Sequence, residues 1–244
     1  MNETPDVTTP VIRRGDDVLA ISPVIPVVVV EEVDQAVPLA LALLRGGVGV
    51  IEITLRSAVG LRAIRAVADE VPQMVVGAGT VLTPEHAAAV TEAGASFIVT
   101  PGSPPRLLDA VLETGVPLLC GVGTLTEMLT LAERGLDAMK FFPAEASGGI
   151  PYLRSVHGPC PTLRFCPTGG ISPTNAAAYL TLPNVGCVGG SWLTPQDAVA
   201  AGDWDRIEAL ATEAIALRGE QEPVPASASG GPHPPRGERP GRER

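Results

Sequence analysis

Eight short apolar runs punctuate the chain. They begin near Val24 (VIPVVVV), Val50 (VIEITL), Met74 (MVVGAGTV), Phe97 (FIVTPG), Pro117 (PLLCGVG), Ala138 (AMKFFPA), Leu163 (LRFCPTGG) and Val185 (VGCVGGSW). Most lack the strict apolar–polar alternation of a strand with one wet face, and fit strands buried on both faces. Between them lie Ala- and Leu-rich segments of helical type, such as VDQAVPLALALLRGG, SAVGLRAIRAVADEV, TPEHAAAVTEAGA, SPPRLLDAVLETG, TLTEMLTLAERG and SPTNAAAYLTLP. Several open with Ser, Thr or Asp and an early Pro, then close at Gly, the start and stop chemistry of a helix.

Eight such units predict an α/β fold, a (β/α)8 TIM barrel, with a doubly wound open sheet as the competing arrangement. The count of eight favours the barrel, as do the Gly-rich turns after the last two runs. The segment before Val24 is expected to form a short helix closing the bottom of the barrel. The barrel is assigned to residues 1–218. From Gly219 on, six Pro, five Gly and four Arg balanced by four Glu replace any periodicity. Such a segment buries too little surface to offset the entropy of ordering it, so 219–244 is expected to be a disordered tail.

Composition narrows the function classes. The 244 residues are 45% hydrophobic and carry 17 basic against 27 acidic side chains, a net charge of -10. That balance gives no general attraction to nucleic acid or to an anionic membrane. With 3% aromatic residues, base-stacking surfaces are also disfavoured. No run approaches the roughly 18 apolar residues of a membrane helix, and the N-terminus lacks the basic-then-apolar pattern of a secretion signal. The expected location is the cytoplasm. Cys120, Cys160, Cys166 and Cys187 form no CxxC pair and no disulfide framework. His86, His157 and His233 match no zinc spacing, so no metal is expected. GAGT at Gly77–Thr80 lacks the third glycine of a dinucleotide fingerprint, and no Gly-Lys pair permits a Walker A loop.

The basic residues are sixteen Arg and a single Lys, Lys140. It lies in an apolar strand beside Phe141 and Phe142, half of the four Phe in the chain. Burying an ammonium group requires a partner or a reason to be neutral. A desolvated lysine is an amine nucleophile that attacks a carbonyl to give an imine. Glu52 lies in the second apolar run, where a carboxylate in the barrel mouth pairs with a cation or moves protons. Arg56 follows at that strand's C-terminal end, suited to a substrate carboxylate. Thr168-Gly169-Gly170 and Gly189-Gly190-Ser191 follow the seventh and eighth strands, the recurrent phosphate position of this fold. The residues leave open a structural ion pair of Glu52 with Lys140 or Arg56, a non-catalytic barrel that binds phosphate, and a pyridoxal-phosphate enzyme.

IEITLR, VVGAGTVL, FIVTPG, MKFFPAE, RFCPTGGIS and CVGGSW resemble, in order from about Val24 to Trp192, the class I 2-keto-3-deoxy-6-phosphogluconate (KDPG) and 4-hydroxy-2-oxoglutarate (KHG) aldolases. The resemblance implies cleavage of the phosphorylated keto acid to pyruvate and glyceraldehyde 3-phosphate, with no metal or organic cofactor and a homotrimeric assembly. It implies that Lys140 forms the Schiff base and Glu52 is the general acid/base. Arg56 and Thr80 would bind the pyruvate carboxylate, with Pro101 and Phe142 on its apolar side. Thr168 would influence stereochemistry, and Gly169, Gly170, Gly190 and Ser191 would hold the phosphate. KHG or the phosphogalactonate epimer are the alternative main substrates. Two departures stand out. The strand-five turn, CGVGTLTE, lacks the family's usual prolines, and Thr100 stands where serine is common.

Overall fold

The computed structural model describes residues 12–217; the segment from Gly219 on lies outside the described residues. In chain order the elements are α1 (Gly15–Ile21), β1 (Val24–Val28), α2 (Ala36–Arg45), β2 (Val50–Thr54), α3 (Gly60–Glu70), β3 (Val75–Gly79), α4 (Pro84–Glu92) and β4 (Phe97–Val99). They continue with α5 (Pro105–Glu113), β5 (Leu118–Val122), α6 (Leu125–Ala132), β6 (Ala138–Phe141), α7 (Gly149–His157), β7 (Arg164–Pro167), α8 (Ala176–Leu180), β8 (Val188–Gly190), α9 (Gln196–Ala201) and α10 (Trp204–Ala216). A single turn of 3-10 helix, Val33–Gln35, leads into α2.

Every expected apolar run contains a strand, and all pairings are parallel. The order is β7-β6-β5-β4-β3-β2-β1-β8. Two isolated parallel bridges, Phe165↔Val185 and Thr168↔Gly189, join the two ends. The chain therefore travels once around a ring, and the order never reverses as it does in a doubly wound sheet. The strands are buried along their length apart from Arg164 at the start of β7. This is why their sequences read as continuous apolar runs.

The helices cover the outside with one apolar stripe each. In α3, Ala63, Ile64 and Val67 are buried while Arg62, Arg65, Asp69 and Glu70 face water. Starts follow side-chain chemistry. Thr83 accepts the His86 N–H ahead of α4 at 3.2 Å, with Pro84 opening the helix. The proline-free turn after β5 is held by Glu127 of α6, whose Oε2 accepts from Gly123 N and Thr124 N, both at 2.8 Å. The expected bottom helix is α1: it packs on β6 and β7, and a side chain on Gly15 would meet Leu118 and Ala138, the first residues of β5 and β6.

Two helices follow the eighth strand. Asp203 caps α10 by accepting from Arg206 N at 3.2 Å, and Ile207, Ala211 and Ala214 bury the stripe that α10 lays on α2. An Arg45–Glu208 ion pair at 2.6 Å flanks that contact. Among the described residues, no helix is long and apolar enough to cross a membrane. No group of three His, Cys, Asp or Glu among them is placed to hold a metal ion.

Candidate active site

Successive residues of a strand point to opposite sides. Glu52 on β2 is level with Val27 on β1 and Gly77 on β3. Lys140 on β6 is level with Gly121 on β5 and Cys166 on β7. Four places apart in a ring of eight, β2 and β6 lie opposite each other, and the two side chains meet inside. Lys140 Nζ donates to Glu52 Oε1 at 3.3 Å, with Lys140 6% and Glu52 3% exposed. Each charge offsets the desolvation of the other, and neither has an aqueous alternative.

Space for this pair is made by omission. A methyl group on Gly79, at the end of β3, would lie 2.7 Å from both Cγ and Cδ of Glu52. On the opposite side, Lys140 Nζ lies 5.4 Å from the centroid of the Phe142 ring, within cation–π range.

The remaining predicted residues stand at the C-terminal rim. Arg56 is exposed just beyond β2, and its Nε donates to Thr54 Oγ1 at 3.3 Å. Thr54 is buried and donates in turn to Val28 O at 2.9 Å. Thr80 follows β3 with φ 60°, the one non-glycine residue at positive φ among the described residues. For a β-branched residue this is a strained conformation. Thr100 is buried at the end of β4; its Oγ1 accepts from Gly121 N at 3.2 Å and lies 2.9 Å from Ser103 Oγ. Pro101 follows it, half-buried. Thr168 is buried beyond β7 and donates to Cys166 O at 3.3 Å.

The Gly169–Gly170 turn lies beyond β7 as expected, whereas Gly189 and Gly190 are residues of β8 itself, paired with Ile25 and Pro26, and only Ser191 lies beyond that strand. Gly169 and Gly170 have φ 97° and 81°, consecutive left-handed residues that only glycine adopts without cost. Protein donors engage three carbonyls in a row: Thr168 O accepts from Ala144 N at 2.8 Å, Gly169 O from Glu145 N at 3.1 Å, and Gly170 O from Asn175 Nδ2 at 3.0 Å. Gly190 ends β8 against the Trp192 ring, and Ser191 is exposed beside it, its carbonyl accepting from Thr194 N at 3.2 Å.

The structure thus joins Lys140, Glu52 and Phe142 by direct contact. Arg56, Thr80, Pro101 and Ser191 share their rim, with no hydrogen bond to that pair among the described residues. Four neighbours escaped the sequence reading: Thr54, Cys166, Glu145 and Tyr179. Period two carried a signal for two of them, since Thr54 is two residues from Glu52 and Cys166 two before Thr168. Nothing in the sequence pairs Glu145 with Tyr179, which are brought together by packing of the β6 loop on α8.

The profile of the KDPG and KHG aldolase family matches residues 16–210. The KHG/KDPG aldolase of Escherichia coli is 52% identical over 201 residues, 82% of this chain and 94% of that protein. The crystal structure of the Legionella pneumophila KDPG aldolase, with pyruvate captured at low pH as a covalent carbinolamine, superposes with a TM-score of 0.81 at 43% identity. The match spans 83% of this chain and 98% of that one. The Zymomonas mobilis KDPG aldolase with 3-phosphoglycerate gives a TM-score of 0.78 at 44% identity, over 84% and 96%.

Proposed function

The chain belongs to the KDPG and KHG aldolase family, and from that premise we propose that it cleaves 2-dehydro-3-deoxy-6-phosphogluconate reversibly to pyruvate and D-glyceraldehyde 3-phosphate. The observation that carries this reading is the buried contact between the chain's single lysine and Glu52. In this reading a proton passes from Lys140 to Glu52 across the 3.3 Å contact, leaving a free amine. The amine attacks the C2 carbonyl to give a carbinolamine. Glu52 returns the proton to the carbinolamine hydroxyl, which leaves as water, so that an iminium ion forms and Glu52 is again a carboxylate. Glu52 takes the C4 hydroxyl proton, the C3–C4 bond breaks, and its electron pair flows to the iminium nitrogen as the aldehyde leaves. The enamine is then protonated at C3 and hydrolysed to pyruvate. The lysine is the electron sink throughout.

The rim residues take the roles that their positions suit. Arg56 and Thr80 bind the substrate carboxylate, with the Thr54 hydroxyl steadying the guanidinium. Pro101 and Phe142 pack on the apolar side of the pyruvate portion. Thr168 lies beside the aldehyde portion and influences its stereochemistry. Gly169, Gly170, Gly190 and Ser191 hold the phosphate. The 3-phosphoglycerate of the Zymomonas mobilis structure is in keeping with a phosphate subsite. The Escherichia coli relative is named for both KHG and KDPG, so this chain is read as accepting 4-hydroxy-2-oxoglutarate as a second substrate. Family membership extends the reading to a cytoplasmic homotrimer, for which light scattering tests the assembly.

The test is incubation with pyruvate and borohydride, followed by peptide mass analysis. Lys140 and the N-terminal amine are the only amines available, so the assignment is direct. A reduced pyruvate adduct on the MKFFPAE peptide is expected, and it should vanish in Lys140→Arg together with cleavage activity. Folded protein without an adduct would overturn the imine mechanism and leave Glu52–Lys140 as a structural pair.

A further inference from the structure

Glu145 and Tyr179 lie outside every role assigned above, yet they meet directly behind the Gly169–Gly170 turn. Tyr179 on α8 is fully buried, and its hydroxyl donates to Glu145 Oε1. Burial, and then the carboxylate beside it, push the phenol above its usual range, so it remains a donor across any assay pH. Glu145 reaches the turn twice. Its backbone N–H donates to Gly169 O at 3.1 Å. Its Cβ and Cγ occupy the space in which a side chain on Gly170 would sit, 2.7 and 2.5 Å from a methyl group there. Glu145 also follows Lys140 by five residues in the same β6 segment. One side chain therefore braces the anion turn from the strand that carries the nucleophile, and one buried phenol fixes that side chain.

We propose that Glu145 and Tyr179 are positioning residues: the phenol orients the carboxylate, and Glu145 holds the Gly169–Gly170 turn in its anion-accepting shape. The pair thereby sets the preference for phosphorylated over unphosphorylated keto acids. Backbone donors discriminate an anion only when their directions are fixed in advance. Two adjacent left-handed glycines have wide conformational freedom, and something must remove it. The carbonyl contacts and the Glu145 side chain do so from behind.

The inference rests on assigning this turn to the substrate phosphate, and the experiment separates the two. kcat and KM are measured for the phosphorylated substrate and for 4-hydroxy-2-oxoglutarate in Tyr179→Phe, Glu145→Ala, Glu145→Gln and Ser191→Ala. Loss of one such hydrogen bond predicts that Tyr179→Phe and Glu145→Ala raise KM for the phosphorylated substrate about three- to tenfold. Their kcat, and both constants for the unphosphorylated substrate, should stay within about twofold of the parent, a margin well below the loss of one hydrogen bond. Glu145→Gln keeps an acceptor for the phenol and should restore the parent KM. Equal losses on both substrates would mark a structural role and overturn the proposal. So would unchanged constants in Tyr179→Phe while Ser191→Ala raises KM for the phosphorylated substrate alone, and in that case the phosphate assignment survives. If neither variant changes the discrimination, the phosphate assignment fails and the proposal falls with it.

Discussion

Glu52 and Gly79 compete for one volume: the carboxylate fills the space that any side chain on Gly79 would need. The bare Cα at the end of β3 is what lets Glu52 reach across the barrel to Lys140 at 3.3 Å. Gly79 has no chemistry of its own, but it sets the position of the group that does.

Gly79→Ala should therefore act as a catalytic mutation without touching a catalytic side chain. The added methyl pushes Glu52 off Lys140, and misplacement on the order of 1 Å costs about 100-fold in kcat. Far-UV circular dichroism should be unchanged, because β3 keeps its backbone pairing with β2 and β4. Parent-like kcat in folded Gly79→Ala would show that Glu52 does not act from this position.

The buried pair also makes a stability prediction. Lys140→Met leaves the Glu52 carboxylate inside the barrel without a counter-ion, and breaking such a pair costs about 3–5 kcal/mol. Adding Glu52→Gln removes the stranded charge and should return most of that loss in urea unfolding. If the two substitutions add instead, the charges are already independent in the folded protein.

How much of this was legible beforehand follows from what each feature depends on. The eight strands were readable because parallel strands buried on both faces must be apolar throughout. Lys140 and Glu52 were readable for the same reason, as charges interrupting those runs. Counting eight βα units implied one helix after the last strand, but two follow, and the stripe of α10 in Ile207, Ala211 and Ala214 was not among the helical segments read from the sequence. The role of Gly79 was hidden, since a glycine in GAGT reads as a turn until the carboxylate opposite is placed. Glu145 and Tyr179 are 34 residues apart, and only the fold brings them together.

Thr80 offers a separation of binding from stability. Its φ of 60° costs a β-branched residue about 1–2 kcal/mol that glycine does not incur. Thr80→Gly should raise the midpoint of thermal unfolding, or at worst leave it unchanged after the backbone entropy of glycine is counted. The same variant loses the hydroxyl assigned to the substrate carboxylate. KM for pyruvate in the condensation direction should rise about three- to tenfold, the worth of one hydrogen bond. A fall in stability would mean that the side chain's contacts outweigh the strain.

The turn after β5 makes the last prediction, one of pH dependence. Glu127 accepts from Gly123 N, Thr124 N and Thr124 Oγ1 at 2.8, 2.8 and 2.9 Å. The Gly123 N–H is the first cause holding its carboxyl below the usual carboxylate range, with the Thr124 contacts adding to it. A depressed carboxyl stabilises the fold fully above its unfolded pKa and loses that contribution as pH falls through its folded value. Glu127→Ala should thus destabilise the protein at pH 7 by about 1 kcal/mol, the usual worth of a helix-start contact, and less if solvent screens it. The gap between parent and variant should stay constant down to about pH 5, just above the ordinary carboxyl range, and narrow below it. Urea midpoints measured for both proteins from pH 7 downward test this. A gap that persists unchanged well below that pH would assign the effect to the side chain's packing and not to its charge.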